Sequence, residues 1–135
     1  MAEWHPNAND TAADAVWRAF REQVREPRDQ YFNMRHVVMI EMLAAALEAA
    51  GDTRAERVAI ALEGRQHPGA PYAASMRRED HQLLGPLYVS VMRPVDGVAV
   101  PYEVEGSGYG FRTVRYVDAR DSAQPTSCRM QRPRS

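Results

Sequence analysis

Between Phe32 and Ala50 the chain carries a helix with no polar side. Val37, Val38, Met39, Ile40, Met42, Leu43, Ala44, Ala45, Ala46 and Leu47 cover nearly every angle around its axis. Gly51 follows, the favoured residue for a left-handed cap, and sets the end. A helix that is apolar all round belongs inside a larger body, because every face must be taken out of water. It is not a bilayer span. The run is shorter than the roughly 20 residues needed to cross and contains Glu41 and Glu48.

The segments on either side are ordinary by comparison. Residues 1–10 read as a flexible lead-in. Asp10 or Thr11 can cap a first helix, with Asp14 in its first turn. Val16, Phe20 and Val24 form one apolar stripe, Arg18, Arg21, Glu22, Arg25 and Glu26 a solvated face, and Pro27 the stop. After Gly51, Thr53-Arg54-Ala55-Glu56 matches a capping box and predicts a third helix through Val58, Ala59, Ala61 and Leu62 to Gly64. Arg65 to Tyr72 reads as a loop.

Strand-like sequence then takes over. Leu87–Met92 alternates, Val98–Val104 places four apolar residues on one face, and Phe111–Val117 is a third run. Asp96-Gly97 is a hairpin signal between the first two. Pro101 has no amide hydrogen, which makes the second run an edge strand or irregular. Residues 122–135 read as a flexible tail, leaving 11–121 as the folded portion.

Three helices with no strand between them, followed by three strands, do not make a parallel sheet, which needs the two to alternate. Yet such a sheet is what would cover the apolar helix on most of its sides. One solution is that the covering residues belong to a larger protein. The other is a compact α+β arrangement, three helices followed by a small antiparallel sheet, in which the first and third helices and the sheet wrap the second.

Composition excludes several classes. The chain has 135 residues, 44% hydrophobic and 26% charged, an ordinary globular balance rather than a disordered one. All 17 basic residues are Arg, and the net charge of -1 leaves no broad footprint for nucleic acid. Cys128 is alone, so neither an internal disulfide nor a Cys-based zinc site can form. The first residues carry no basic and apolar leader pattern, so the chain as written is expected to stay in the cytoplasm.

Candidate chemistry is sparse. His5, His36, His67 and His81 have no i, i+4 partner, so no metal site or cofactor is expected. Asp80-His81 invites a dyad with a serine, but Ser75, Ser90 and Ser107 lack a nucleophile-elbow context, and no catalytic residue is assigned. Gly106-Ser107-Gly108 is followed by strand-like sequence, lacks a phosphate-binding lysine, and reads as a turn. Arg77 to His81 reads as a solvated charged loop or helix start.

Four ordered phrases carry more information than any of these residues. Met76-Arg77-Arg78-Glu79-Asp80-His81-Gln82 is followed by Gly85-Pro86-Leu87-Tyr88-Val89, then Glu105-Gly106-Ser107-Gly108-Tyr109-Gly110-Phe111, then Pro125-Thr126-Ser127-Cys128-Arg129-Met130-Gln131-Arg132-Pro133. Together with Leu43–Gly51 and Val58–Gly64, they resemble the C-terminal part of the branched-chain amino acid type of periplasmic substrate-binding protein, over residues 15–133. The resemblance implies an α/β fragment of a type I periplasmic-binding-protein fold, from an ABC-importer receptor that catalyses nothing. It implies an amino acid or related small solute as ligand, an ABC permease as partner, a periplasmic setting, and a partner for Cys128 in the missing upstream part. It also places an aromatic residue at the start of the second helix on the wall of the ligand cleft, with Phe32 the best match and Tyr31 its neighbour; both rings could equally staple the helix to the core. A small cytoplasmic protein that buries helix 32–50 in a homo-oligomer or against a partner is the competing expectation.

Overall fold

The computed structural model describes residues 4–8, 11–26, 34–69 and 72–132. The first helix, α1, spans Thr11–Gln23 with Asp14 in its first turn, where a carboxylate complements the free amides. Val16, Phe20 and Val24 are half-buried, as their spacing implies, but among the described side chains of this helix the deeply buried one is Trp17. Pro27, expected to stop the helix, lies outside the described residues.

The second helix, α2, spans Met34–Ala50 and ends at Gly51, whose φ of 59° supplies the left-handed cap. Helix α3 spans Ala55–Leu62. It does not start on the expected capping box, because Arg54 occupies the cap position and makes no side-chain cap bond. The local acceptor is Asp52 instead. Its carboxylate takes the Arg54 amide at 2.9 Å and the Arg54 Nε at 2.6 Å, so the chain enters α3 through an Asx turn.

The stretch from Arg65 to Tyr72, expected as loop, contains β1 (Gln66–His67), which joins β2 (Ala74–Met76) and β3 (Leu83–Leu84) in a small antiparallel sheet ordered β1-β2-β3. Its strands are too short for alternation to show in the sequence. A separate two-stranded ribbon pairs β4 (Leu87–Pro94) with β5 (Tyr109–Val117), with a bulge between Val89 and Ser90. A one-turn helix, α4, covers Ala119–Ser122 and is capped by Asp118.

The predicted strand Val98–Val104 does not form. Pro101 cannot donate, and Asp96 Oδ1 accepts from the amides of Val98 (2.9 Å) and Val100 (2.8 Å), offering the backbone a local alternative to a ladder. The hairpin signal at Asp96-Gly97 therefore starts a long loop, and β4 pairs with the third predicted run. Within that loop Gly106 and Gly108 both have positive φ, as a turn there requires.

Residues 4–8 are not a loose lead-in. Trp4, His5 and Asn7 are buried. Asn7 clamps the long loop to β5: Nδ2 donates to the carbonyls of Tyr102 (2.8 Å) and Phe111 (3.1 Å), and Oδ1 accepts from Tyr102 N (2.9 Å). Trp4 and Trp17 lie 6.1 Å apart and join Val38, Met42, Tyr72 and Ala74 in the main core. The segment expected as a flexible tail is likewise pinned at several points, including Arg132 Nε to Glu63 Oε1 at 2.6 Å.

Candidate functional site

Helix α2 is split lengthwise. Val38, Met42 and Ala46, at i, i+4 and i+8, are buried, whereas Met39, Ile40 and Leu43 remain 50%, 67% and 44% exposed. The sequence is apolar on both sides, but α1, α3 and the small sheet cover only one of them. Along the open side runs an apolar groove of about 530 Å³. Met39, Ile40 and Leu43 form one wall, with Leu62, Met76 and Leu83 opposite and Arg35, His36 and His81 at its edges.

Two of the groove's features follow from local structure. Tyr72 is 5% exposed, and its ring would stand 3.1 Å from a Cβ at Gly85, so that glycine makes room for the ring. His81 sits in the turn between β2 and β3 with φ of 56°, held by its amide bond to the Arg77 carbonyl at 2.9 Å. The Arg77–Asp80 pair beside it is far less solvated than the charged sequence suggests, with side chains 15% and 10% exposed. Arg77 also holds the Asp80 carboxyl well below the usual carboxylate range.

The other histidines do different work. His67 is buried and bonds Glu41 and the Tyr72 carbonyl. His5 Nε2 lies 2.7 Å from Thr113 Oγ1 and 3.1 Å from Ser90 Oγ, and burial lowers its pKa to about 4. Ser90 and His5 thus touch, but no carboxylate orients the ring, and its Nδ1 has no hydrogen-bond partner among the described residues. Among the described residues, Asp80 and His81 form no dyad with a serine either; Asp80 binds Arg77, and His81 faces Glu63 at 3.4 Å. Among the described residues no three His, Cys, Asp or Glu side chains gather as a metal site, and no helix is long and apolar enough to cross a membrane.

Tyr31 and Phe32, the aromatic pair named from the sequence, lie outside the described residues, just before the first residue of α2. The groove itself was only half visible in the sequence. Met39, Ile40 and Leu43 announce an apolar surface, but Leu62, Tyr72, Met76 and Leu83 come from three other segments, and no spacing links them to α2.

The sequence profile of the periplasmic binding protein family matches residues 1–97, and the chain belongs to that family. Its fold is similar to that of the leucine-, isoleucine-, valine-, threonine- and alanine-binding protein of Brucella ovis, solved in a closed conformation. The TM-score is 0.76 at 22% identity, over 97% of this chain and 34% of that one, so the chain spans about a third of that protein's length. The match shows the fold: helices and small antiparallel sheets arranged as in one portion of a periplasmic binding protein. It extends past the profile's last matched residue, across the ribbon and most of the chain's end. A comparison with curated proteins finds no match.

Proposed function

We propose that this chain is the C-terminal portion, or a truncated relative, of an ABC-importer substrate-binding protein for branched-chain amino acids or related small solutes. It catalyses no reaction and does not hold ligand by itself. The observation that carries this reading is the open side of α2. Met39, Ile40 and Leu43 form a contiguous apolar surface that a stable soluble body would cover, and a receptor about three times as long has the residues to cover it.

In the intact receptor the ligand is captured between two lobes, the hinge closes on it, and the closed form is presented to a membrane permease on the periplasmic side. Phe32, with Tyr31 beside it, supplies an apolar wall for the aliphatic side chain. The groups that would pair the ligand's α-ammonium and α-carboxylate come from the rest of the receptor. Desolvating those charges unpaired would outweigh what one apolar wall returns. Titration calorimetry of the chain with leucine, isoleucine or valine at millimolar concentration is therefore expected to show no heat of binding. Grafted in place of the corresponding part of an intact receptor, the chain should restore binding, and Phe32→Ala should weaken it. Leucine binding by the isolated chain would refute the reading.

A second reading rests on the same open face: an interaction protein that buries α2 in a homo-oligomer. Sedimentation separates the two. A stable dimer that Leu43→Glu dissociates favours the second, and a dye-binding monomer favours the first.

A further inference from the structure

Among the described residues, the segment after α4, 123–132, has no regular structure, yet it is tied down at successive points. Ser122 Oγ donates to the Gly85 carbonyl at 3.0 Å. Arg77 Nη1 donates to the Gln124 carbonyl, and the Thr126 side chain bonds Asp80. Arg132 then reaches Glu63 through Nε and the Arg78 carbonyl through Nη2. Every one of these partners except Glu63 belongs to the β2–β3 turn or the residues just after it, and Glu63 stands at the end of α3.

Glu63 is the junction. Its side chain is 12% exposed, and the same Oε1 lies 2.6 Å from Arg132 Nε and 3.4 Å from His81 Nε2. His81 stands at the edge of the α2 groove in a left-handed backbone conformation that residues with a side chain rarely hold unsupported. One carboxylate is thus shared between the end of the chain and the rim of the groove.

We propose that residues 122–132 are a strap that holds the β2–β3 turn, and with it His81, in place at the edge of the α2 groove. The strap acts at two nodes. At the inner node Arg77 ties Gln124 to Asp80 and Gln82, so the turn and the tail share one guanidinium. At the outer node Arg132 closes over Glu63 and the Arg78 carbonyl, spanning the turn from its far side. Releasing the outer node leaves His81 facing a carboxylate that is no longer pinned, and the rim loosens. The strap does not depend on what the groove binds, so it stands or falls apart from the receptor reading.

The test uses the full chain and its Arg132→Gln variant. Two quantities are read: the rate of trypsin cleavage after Arg129, and amide exchange in residues 77–83 against that in the β4–β5 ribbon. Both cleavage and exchange in 77–83 should rise roughly two- to fivefold, the range for one charge pair whose arginine is well exposed, while the ribbon is unchanged. Arg132→Lys should recover part of the effect. Thr126→Ala, which acts at Asp80 and leaves Glu63 intact, should loosen the same turn. Faster cleavage with no change in 77–83 would show a tail that is held but sets nothing. No change in either, or a rise that includes the ribbon, would also overturn the proposal.

Discussion

His67 Nε2 lies 2.6 Å from Glu41 Oε2, and its Nδ1 faces the Tyr72 carbonyl at 3.1 Å, so one buried imidazole joins α2 to β1 and to the approach to β2. The two partners are unequally placed: the His67 side chain is 8% exposed and that of Glu41 55%. His67→Ala leaves a cavity and removes the ring's bond to the Tyr72 carbonyl, and should lower unfolding free energy by about 2 kcal/mol. Glu41→Ala removes only a solvated partner and should cost under about 1 kcal/mol. Urea denaturation of both variants checks the order; equal losses would mean the pair acts as a buried unit.

The start of α3 gives a sharper contrast. Asp52 accepts from the Arg54 amide, and Thr53 does not cap. Asp52→Ala should lower the denaturant midpoint, whereas Thr53→Ala should leave it unchanged. The reverse result would restore the capping box that the sequence suggests.

Gly110 should tolerate no side chain. A Cβ there would stand 2.2 Å from the Tyr102 carbonyl oxygen, 2.7 Å from Val100 Cγ1 and 2.9 Å from Asn7 Nδ2. Two of these are fixed by the Asn7 clamp. Gly110→Ala should therefore destabilise by roughly 2–3 kcal/mol or more, by overpacking. A thermal midpoint within a degree of the parent would show that the long loop yields freely.

His5 should make stability depend on pH. Burial lowers its folded pKa to about 4 from the ordinary 6.5. In the interval between, the unfolded chain binds a proton that the folded chain refuses. The contribution is complete above pH 6.5 and shrinks as pH falls toward 4, by on the order of 2–3 kcal/mol. Unfolding free energies of the parent and His5→Gln, compared at pH 7 and pH 4.5, should converge at the lower pH. A constant difference would mean His5 titrates as it does in the unfolded chain.

The two sides of α2 should respond oppositely. Val38→Ala, at 0% exposure, should cost about 2 kcal/mol. Ile40→Gln, at 67%, should change stability by no more than about 0.5 kcal/mol and reduce binding of a hydrophobic dye. Destabilisation by Ile40→Gln would place that residue in a covered interface.

Local chemistry wrote much of this fold into the sequence. The apolar run, its end at Gly51, the α3 segment, and strands at Leu87 and Phe111 follow from side-chain period and turn residues, which neighbouring positions determine. The phrases between Met76 and Pro133 pointed to the family as well. What tertiary structure decided was everything that depends on partners distant in sequence. Only there does Asn7 meet Tyr102, Arg132 meet Glu63, or Met76 and Leu83 face Met39. The strand expected at Val98–Val104 failed because Asp96 captured its amides, a local competition that hydrophobic spacing does not register. An all-apolar helix states that every face needs cover, but not which face this chain covers itself. That was settled by which of its sides α1, α3 and the small sheet could reach.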